Sequence, residues 1–307
     1  MNTEPVLRFG IDLGGSKIEL IAFDTAGRER LRRRVSTPRN DYRATLTAIH
    51  DLVVRSEREL GAGGSVGIGT PGSLSRATGR LRNSNSVCLN GQSIVQDLEA
   101  LLGRPVRIAN DANCFALSEA IDGAAAGAEV VFGVILGTGV GAGIVVRGRA
   151  LSGANGIAGE WGHNSLPWPR PEELPGPPCY CGKTGCIETF ISAPGLANDH
   201  RLATGAPLES EVLVARAESG DAACQSTLVR YEDRLARALA HVVNVLDPDV
   251  IVLGGGLSNL DRLYENVPRL WSRYVFSDRV DTRFVRNAHG DSSGVRGAAW
   301  LWDEPKT

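Results

Sequence analysis

Short apolar runs that end in glycine set the rhythm of this chain. Residues 6–13 (VLRFGIDL) read as a strand, a turn follows at Gly14, Gly15, Ser16 and Lys17, and residues 18–23 (IELIAF) read as a second strand. The pattern returns in mid-chain: FGVIL over 132–136 leads into a glycine-rich turn over 137–143, and then into IVV at 144–146. Phe9 and Phe132 each open the string Phe-Gly-apolar-x-Leu-Gly. Two similarly built domains, each starting with a strand–glycine turn–strand hairpin, are therefore predicted. Strand-like residues after both turns argue against a dinucleotide fold or a P-loop, which need a helix directly after the glycines.

Elsewhere the spacing predicts helices over 42–60, 112–121 and 228–246, and strands over 65–69, 106–109 and 250–253. Asp247, Pro248 and Asp249 stop the last helix, and Gly254, Gly255 and Gly256 end the strand after it. Strands alternating with helices predict α/β layering, with ligands bound where glycine-rich turns leave the strands.

Composition narrows the function classes. The 307 residues carry 33 Lys+Arg against 35 Asp+Glu, a net charge of −2, with 42% apolar and 22% charged residues. Such balance gives no electrostatic reason to bind nucleic acid or an anionic membrane. No apolar stretch approaches the ~18–20 residues that span a bilayer. The first residues lack a basic segment followed by an apolar one, so a cytoplasmic protein is expected. The basic run Arg28, Arg30, Arg32, Arg33 and Arg34 reads as a solvated strand face.

Glycine lets backbone N–H groups approach a polyphosphate without an intervening Cβ. The turns at Gly14–Lys17 and at Gly137, Thr138, Gly139 and Gly141 are candidate cradles for the β- and γ-phosphates of a polyphosphate. Asp12, beside the first turn, could hold Mg²⁺, or could merely cap a tight turn. Lys17 could offset phosphate charge or stand in solvent. Gly254, Gly255 and Gly256 would let a nucleoside lie against backbone, unless they only open a helix.

Six cysteines are present: Cys88, Cys114 and Cys224 are scattered and read as small buried residues, while Cys179, Cys181 and Cys186 fall in eight residues. That knuckle looks like a metal site lacking one ligand, and the nearest histidine is His163, across six prolines. A Cys₃His zinc site is the expectation. Asn110 and Asp111 fall between a strand end and a helix start. Asp111 could cap the helix, or accept the proton of an attacking hydroxyl. Glu160 and Glu188 flank the metal cluster and could form a polyol-binding surface that it holds in place.

Taken together, Asp12–Lys17, residues 137–143, the Gly-Glu-Trp-Gly-His string at 159–163, the Cys-x-Cys-Gly-x-x-Gly-Cys-x-Glu string at 179–188 and the glycines after Leu253 resemble the ROK family of repressors, open reading frames and kinases. The resemblance covers nearly the whole chain. It implies two actin-like ATPase (ribonuclease H-like) domains with an interdomain cleft, assigned to residues 1–118 plus 290–307 and to 119–289. It implies Asp111 as catalytic base, and Asn110, Glu160, His163 and Glu188 as sugar contacts, with Gly69, Pro71 and Gly72 near the sugar. His163 would bind zinc through one ring nitrogen and sugar through the other. Eleven residues precede Asp12, so the helix-turn-helix of ROK repressors is not expected. The GEWGHNSLPW, CYCG and His289–Trp300 strings are similar to bacterial ROK fructokinases of the manno(fructo)kinase type. Ser16 stands where the family usually has Thr. The expected activity is ATP-dependent phosphorylation of fructose at its 6-hydroxyl, with mannose or glucose as weaker substrates, using ATP, Mg²⁺ and structural Zn²⁺ in a homodimer. A glucokinase, an N-acetylhexosamine kinase or a silent sugar-sensing regulator are the alternatives.

Overall fold

The computed structural model describes residues 7–302. Val6, placed in the first strand by its sequence, lies outside the described residues, as do the terminal stretches 1–6 and 303–307 of the first expected domain. The chain forms two compact units: one runs through Gly127, takes in Gly143–Ala158 and resumes at Ala288, and the other comprises Ala128–Ala142 and Gly159–Asn287.

The first stretch runs β1 (Leu7–Leu13), β2 (Lys17–Asp24), β3 (Glu29–Ser36), α1 (Tyr42–Leu60), β4 (Gly64–Thr70), the short pair β5 (Ser73–Leu74) and β6 (Leu81–Arg82), α2 (Ile94–Leu102), β7 (Val106–Asn110) and α3 (Asp111–Ile121). Its sheet is ordered β3-β2-β1-β4-β7. The β1–β2 and β2–β3 pairs are antiparallel, and the β1–β4 and β4–β7 pairs parallel. The chain continues through β8 (Val130–Leu136), β9 (Val140–Val146), β10 (Arg149–Ala150), α4 (Glu188–Ile191), α5 (Ala193–Thr204), α6 (Ser210–Glu218), α7 (Ala222–Leu246), β11 (Val250–Gly254), α8 (Asp261–Trp271), β12 (Arg283–Arg286) and α9 (Ser293–Trp300). The second sheet, β10-β9-β8-β11-β12, repeats the order of the first: a three-strand meander followed by two strands added in parallel. The duplicated hairpin in the sequence is thus the visible part of a duplicated sheet.

The first core forms where the alternating apolar positions of β1, β2 and β4 meet α1. Phe9, Ile11, Ile18, Leu20, Ile49, Val53, Val66 and Ile68 are all fully buried there. Burial of each such side chain stabilises by roughly 1.5–3 kcal/mol. Helix α1 begins at an Asp41 cap that accepts the Ala44 N–H and ends on left-handed Gly61.

Helices α2, α4, α5, α6, α8 and α9 lie outside the three read from the spacing, and two helices show why the reading departs from the structure. Helix α7 starts at Ala222, six residues before the predicted 228, because Asp221 caps it by accepting the Ala223 and Cys224 N–H groups. Helix α9 shows no apolar stripe in its sequence (SGVRGAAW). Missing side chains hold it in place instead. A Cβ on Gly10 would lie 2.1 Å from the Val295 carbonyl oxygen, one on Gly67 1.9 Å from that of Ala298, and one on Gly297 1.7 Å from that of Cys114. Backbone packs on backbone where β1, β4 and α3 meet α9.

Candidate active site

In the first unit, strand register gathers the candidate residues at one end of the sheet. Asp12 on β1 pairs with Gly69 on β4, Gly69 with Ala109 on β7, and Thr70 with Asn110. Asn110 caps α3: its Oδ1 accepts the Ala112 and Asn113 N–H groups at 2.8 and 3.2 Å, and its Nδ2 donates to the Gly72 carbonyl at 3.3 Å. The capping role that the sequence left open for Asp111 therefore falls to Asn110. Asp111 is the first helical residue, and its Oδ1 accepts the Ala112 N–H at 2.8 Å. A helix N-terminus stabilises negative charge at that position.

Gly69 and Gly72 serve packing. A Cβ on Gly69 would meet Cys114 Sγ at 3.2 Å, and Gly72, at φ 85°, approaches the Arg82 carbonyl so closely that a Cβ would lie 2.4 Å from it. Pro71 is half-buried between them. In the first glycine turn, Gly14 donates its N–H to the Lys17 carbonyl at 3.0 Å, and Thr37 braces the turn through the Gly14 carbonyl at 2.7 Å. Gly15 and Ser16 stay exposed. Lys17 leans on Glu19, with Nζ 3.9 Å from its carboxylate. Arg32 and Arg34 share that same buried carboxylate, at 3.2 and 2.9 Å, so the basic run on β3 is partly an internal counter-charge.

Asp12 stands apart electrostatically. Burial, then the nearby carboxylates of Asp111 and Glu19, push its pKa from 3.8 up to about 6 against a weaker opposing pull from Lys17. A half-buried carboxyl held above the usual range, as at Asp12, is the kind of oxygen donor that a hard dication such as Mg²⁺ prefers.

In the second unit, the mid-chain turn is built into the proposed acceptor surface. Gly137 donates its N–H to the Gly139 carbonyl at 3.0 Å, and Ala193 at the start of α5 donates to the Gly137 carbonyl at 2.8 Å. Glu188, first residue of α4, accepts the Val140 N–H through Oε2 at 2.9 Å, and a Cβ on Gly139 would lie 2.9 Å from that same oxygen. Thr138 and Gly139 are exposed, and Gly141 is half-buried. Gly162 packs so closely on the Val140 carbonyl that a Cβ would lie 2.4 Å from it, which seats the Trp161–His163 turn beside the same hairpin. Glu160, just before that turn, is exposed. Gly254 pairs with Ile135, and Gly255, at φ 81°, would drive a Cβ to 2.4 Å from the Leu136 carbonyl. Gly256 is open on its Cβ side, with nothing within 4 Å. The 3₁₀ turn that follows makes this stretch both a helix entry and an exposed glycine surface beside the 137–139 turn.

The four sulfur and nitrogen donors converge. His163 Nδ1 lies 3.5 Å from Cys179 Sγ, Cys181 Sγ lies 3.6 Å from Cys186 Sγ, and the ligand atoms of all four residues fall within 4.8 Å of one another. With Zn–S near 2.3 Å and Zn–N near 2.0–2.1 Å, the edges of a tetrahedron are about 3.5–3.8 Å, so the His163–Cys179 and Cys181–Cys186 separations match a zinc site and the donor types suit it. Burial, followed by the neighbouring sulfurs, pushes the Cys186 thiol up to about 12, a penalty that a bound dication would offset.

Several functional-looking residues escaped the sequence reading. Tyr180, between two of the cysteines, holds His163 Nε2 through its hydroxyl at 2.8 Å. Burial of that hydroxyl, then the carboxylates of Glu188 and Glu160, raise its pKa to about 12. The proline-rich loop is anchored by Glu173, whose carboxylate takes Arg234 at 2.8 Å and Arg237 at 2.7 and 2.9 Å, while Arg237 also reaches Asp233 at 3.0 Å. No signal short of tertiary structure links these residues, which lie about 60 positions apart in sequence.

A profile of the ROK family matches residues 8–305. The chain belongs to the ROK family. It is 40% identical over 297 residues to the N-acetyl-D-glucosamine kinase of Yersinia enterocolitica, covering 95% of this chain and 98% of that protein. The crystal structure of the ROK hexokinase from Thermus thermophilus superposes with a TM-score of 0.85 at 33% identity, covering 96% of this chain and 97% of that one. A ROK family glucokinase from Streptomyces griseus, in complex with glucose and AMPPNP, gives 0.75 at 26% identity, covering 96% and 98% of the two chains. The two repeated sheets are accordingly the actin-like, ribonuclease H-like α/β fold of ROK sugar kinases. The fructokinase expectation gains no support from these relatives: the Yersinia enterocolitica protein and one from Pectobacterium atrosepticum, 41% identical, are N-acetyl-D-glucosamine kinases. Among the described residues no helix is long and apolar enough to cross a membrane.

Proposed function

We propose that this ROK protein phosphorylates N-acetylglucosamine, or a closely related N-acetylhexosamine, at its 6-hydroxyl with ATP. The observation that carries the chemistry is Asp111 at the first turn of α3, released from capping by Asn110 and within electrostatic reach of Asp12. Likeness to N-acetylglucosamine kinases over almost the whole length supports that sugar over fructose.

In this reading the Asp111 carboxylate accepts the proton of the 6-hydroxyl as its oxygen attacks the γ-phosphorus, and the bond from that phosphorus to the bridging oxygen breaks so that ADP leaves with its electron pair. Asn110, Glu160, His163 and Glu188 orient the sugar by hydrogen bonds, with Gly69, Pro71 and Gly72 shaping its surroundings. The turns at Gly14–Lys17 and at Gly137, Thr138, Gly139 and Gly141 receive the phosphates, and Gly254, Gly255 and Gly256 lie against the nucleoside. Asp12 would hold Mg²⁺, whose charge offsets that of the transferring phosphoryl group. Cys179, Cys181, Cys186 and His163 would hold a structural zinc that fixes the segment from Glu160 to Glu188. The protein acts as a homodimer in the cytoplasm, without nucleic acid or membrane partners. A coupled assay over a sugar panel tests the reading. N-acetylglucosamine should give the highest kcat/KM, and preference for fructose would return the substrate to the fructokinase type.

A further inference from the structure

The environment of His163 contains a competitor for the sugar. Its Nδ1 points at the cysteine cluster, 3.5 Å from Cys179 Sγ, so Nε2 is the nitrogen left for a ligand hydroxyl. That nitrogen already has a partner, the Tyr180 hydroxyl at 2.8 Å, with the two rings edge-on at 5.0 Å and 89°. Tyr180 as a whole is 83% exposed, so its ring packs on little, while the hydroxyl end is the part drawn in beside His163. It sits on the tight turn between Cys179 and Cys181, where the backbone is held by a Cys179 N–H to Lys183 carbonyl bond of 2.8 Å and a Gly182 N–H to Cys179 carbonyl bond of 3.0 Å. The turn is fixed while the side chain projects outward. The hydroxyl also shares its surroundings with Glu188 and Glu160, the other two groups assigned to the sugar in this unit.

We propose that the Tyr180 hydroxyl is a displaceable substitute for a sugar hydroxyl at His163. It occupies the imidazole Nε2 in the sugar-free protein, and it gives way when the sugar arrives. This deepens the N-acetylhexosamine reading and rests on it. Tyr180 is a positioning residue that acts through His163, and its hydrogen bond with Nε2 must break before the sugar forms its own. The sugar therefore pays for displacing it.

Replacing Tyr180 by Phe keeps the ring and removes only the competing hydroxyl. Sugar affinity is read by calorimetry without ATP and by KM, alongside zinc content. In Tyr180→Phe the sugar Kd and KM should fall roughly two- to tenfold, the range of one net hydrogen bond. The kcat, the KM for ATP and the zinc content should not change. Unchanged affinity, weaker affinity or loss of zinc in Tyr180→Phe would each overturn the proposal, the second because Tyr180 would then be a sugar ligand itself. Wild-type turnover separates the two ideas. A wild-type protein that neither binds nor phosphorylates a hexose removes both, whereas wild-type turnover with equal affinities in the two proteins removes the role of Tyr180 alone.

Discussion

Two clusters of withdrawn carboxylates in this protein sit in opposite electrostatic states. Glu173, its side chain 3% exposed, is matched by the guanidinium groups of Arg234 and Arg237. Burial opposes its charge, but the bonds from Arg237, the Arg170 N–H and Arg234 outweigh that and hold its pKa at about 2. Asp12 is buried beside Asp111 and Glu19, and its pKa rises to about 6. The first cluster is complete within the chain and fastens the proline loop that leads to the cysteines. In the second, burial and neighbouring carboxylates at Asp12 outweigh the pull of Lys17. A structural ion pair neutralises itself, whereas a site that must take a charged ligand is left unbalanced until that ligand comes.

The sharpest break of this comparison is Asp111→Asn, which keeps the shape and removes the proton acceptor. Loss of a general base costs about 10²–10⁴ in rate. We expect kcat to fall in that range with sugar binding and melting temperature nearly unchanged, measured by the coupled assay, calorimetry and thermal unfolding.

On the structural side, Glu173→Gln removes the buried carboxylate that Arg234 and Arg237 share, leaving Arg234 to Asp199 at 2.7 Å and Arg237 to Asp233 at 3.0 Å. Breaking such a pair costs about 3–5 kcal/mol, and denaturant unfolding at pH 7 should show a loss of that order with little direct effect on kcat. The pH dependence has a definite sign. A carboxylate whose pKa is depressed on folding stabilises above its unfolded value and loses that contribution as pH falls. The Glu173 contribution should therefore be present above pH 4.5 and fade between pH 4.5 and 2.

Asp12 carries the opposite sign. A carboxyl whose pKa rises from 3.8 to about 6 on folding lowers stability as pH climbs through that interval. Asp12→Asn should therefore stabilise the metal-free protein at pH 7–8 by up to about 3 kcal/mol, at 1.36 kcal/mol per pKa unit, and hardly at all at pH 4. The same change should abolish Mg²⁺-dependent turnover. Equal stability effects at both pH values would mean that Asp12 is not strained by its surroundings.

The metal cluster gives a smaller global effect. The knuckle sits on a folded domain, so Cys181→Ser or chelation should release about one zinc per chain and lower activity without unfolding the protein, as read by elemental analysis and circular dichroism. The smallest effect is expected at Gly137, where a Cβ meets nothing within 4 Å. Gly137→Val should raise the KM for ATP by about five- to tenfold, the scale of one lost phosphate hydrogen bond, and leave the KM for sugar alone. Gly139 is the poorer probe, because valine there would strike Glu188 and disturb both substrates.

Much of this organisation was written locally. The duplicated Phe-Gly-x-x-Leu-Gly hairpins foretold two like sheets, and the Cys-x-Cys-Gly-x-x-Gly-Cys string with His163 foretold a convergent donor set. Spacing within one turn suffices there, since neighbours in sequence are neighbours in space. What escaped depends on distant partners. Helix α9 is held by absent side chains on Gly10 and Gly67, which no periodicity reports. Nothing in the local sequence marks Glu173 as buried, since its arginines come from α7, and nothing marks Tyr180 as a partner of His163, whose second nitrogen meets it only in the fold.

The most direct test of the account is ATP-dependent phosphorylation of N-acetylglucosamine, glucose, mannose and fructose by the wild-type protein and Asp111→Asn, side by side at saturating Mg²⁺. The account predicts the highest wild-type kcat/KM with N-acetylglucosamine and a drop in kcat of about 10²–10⁴ in the variant. Preference for fructose, or an Asp111→Asn enzyme that turns over at the wild-type rate, would contradict it.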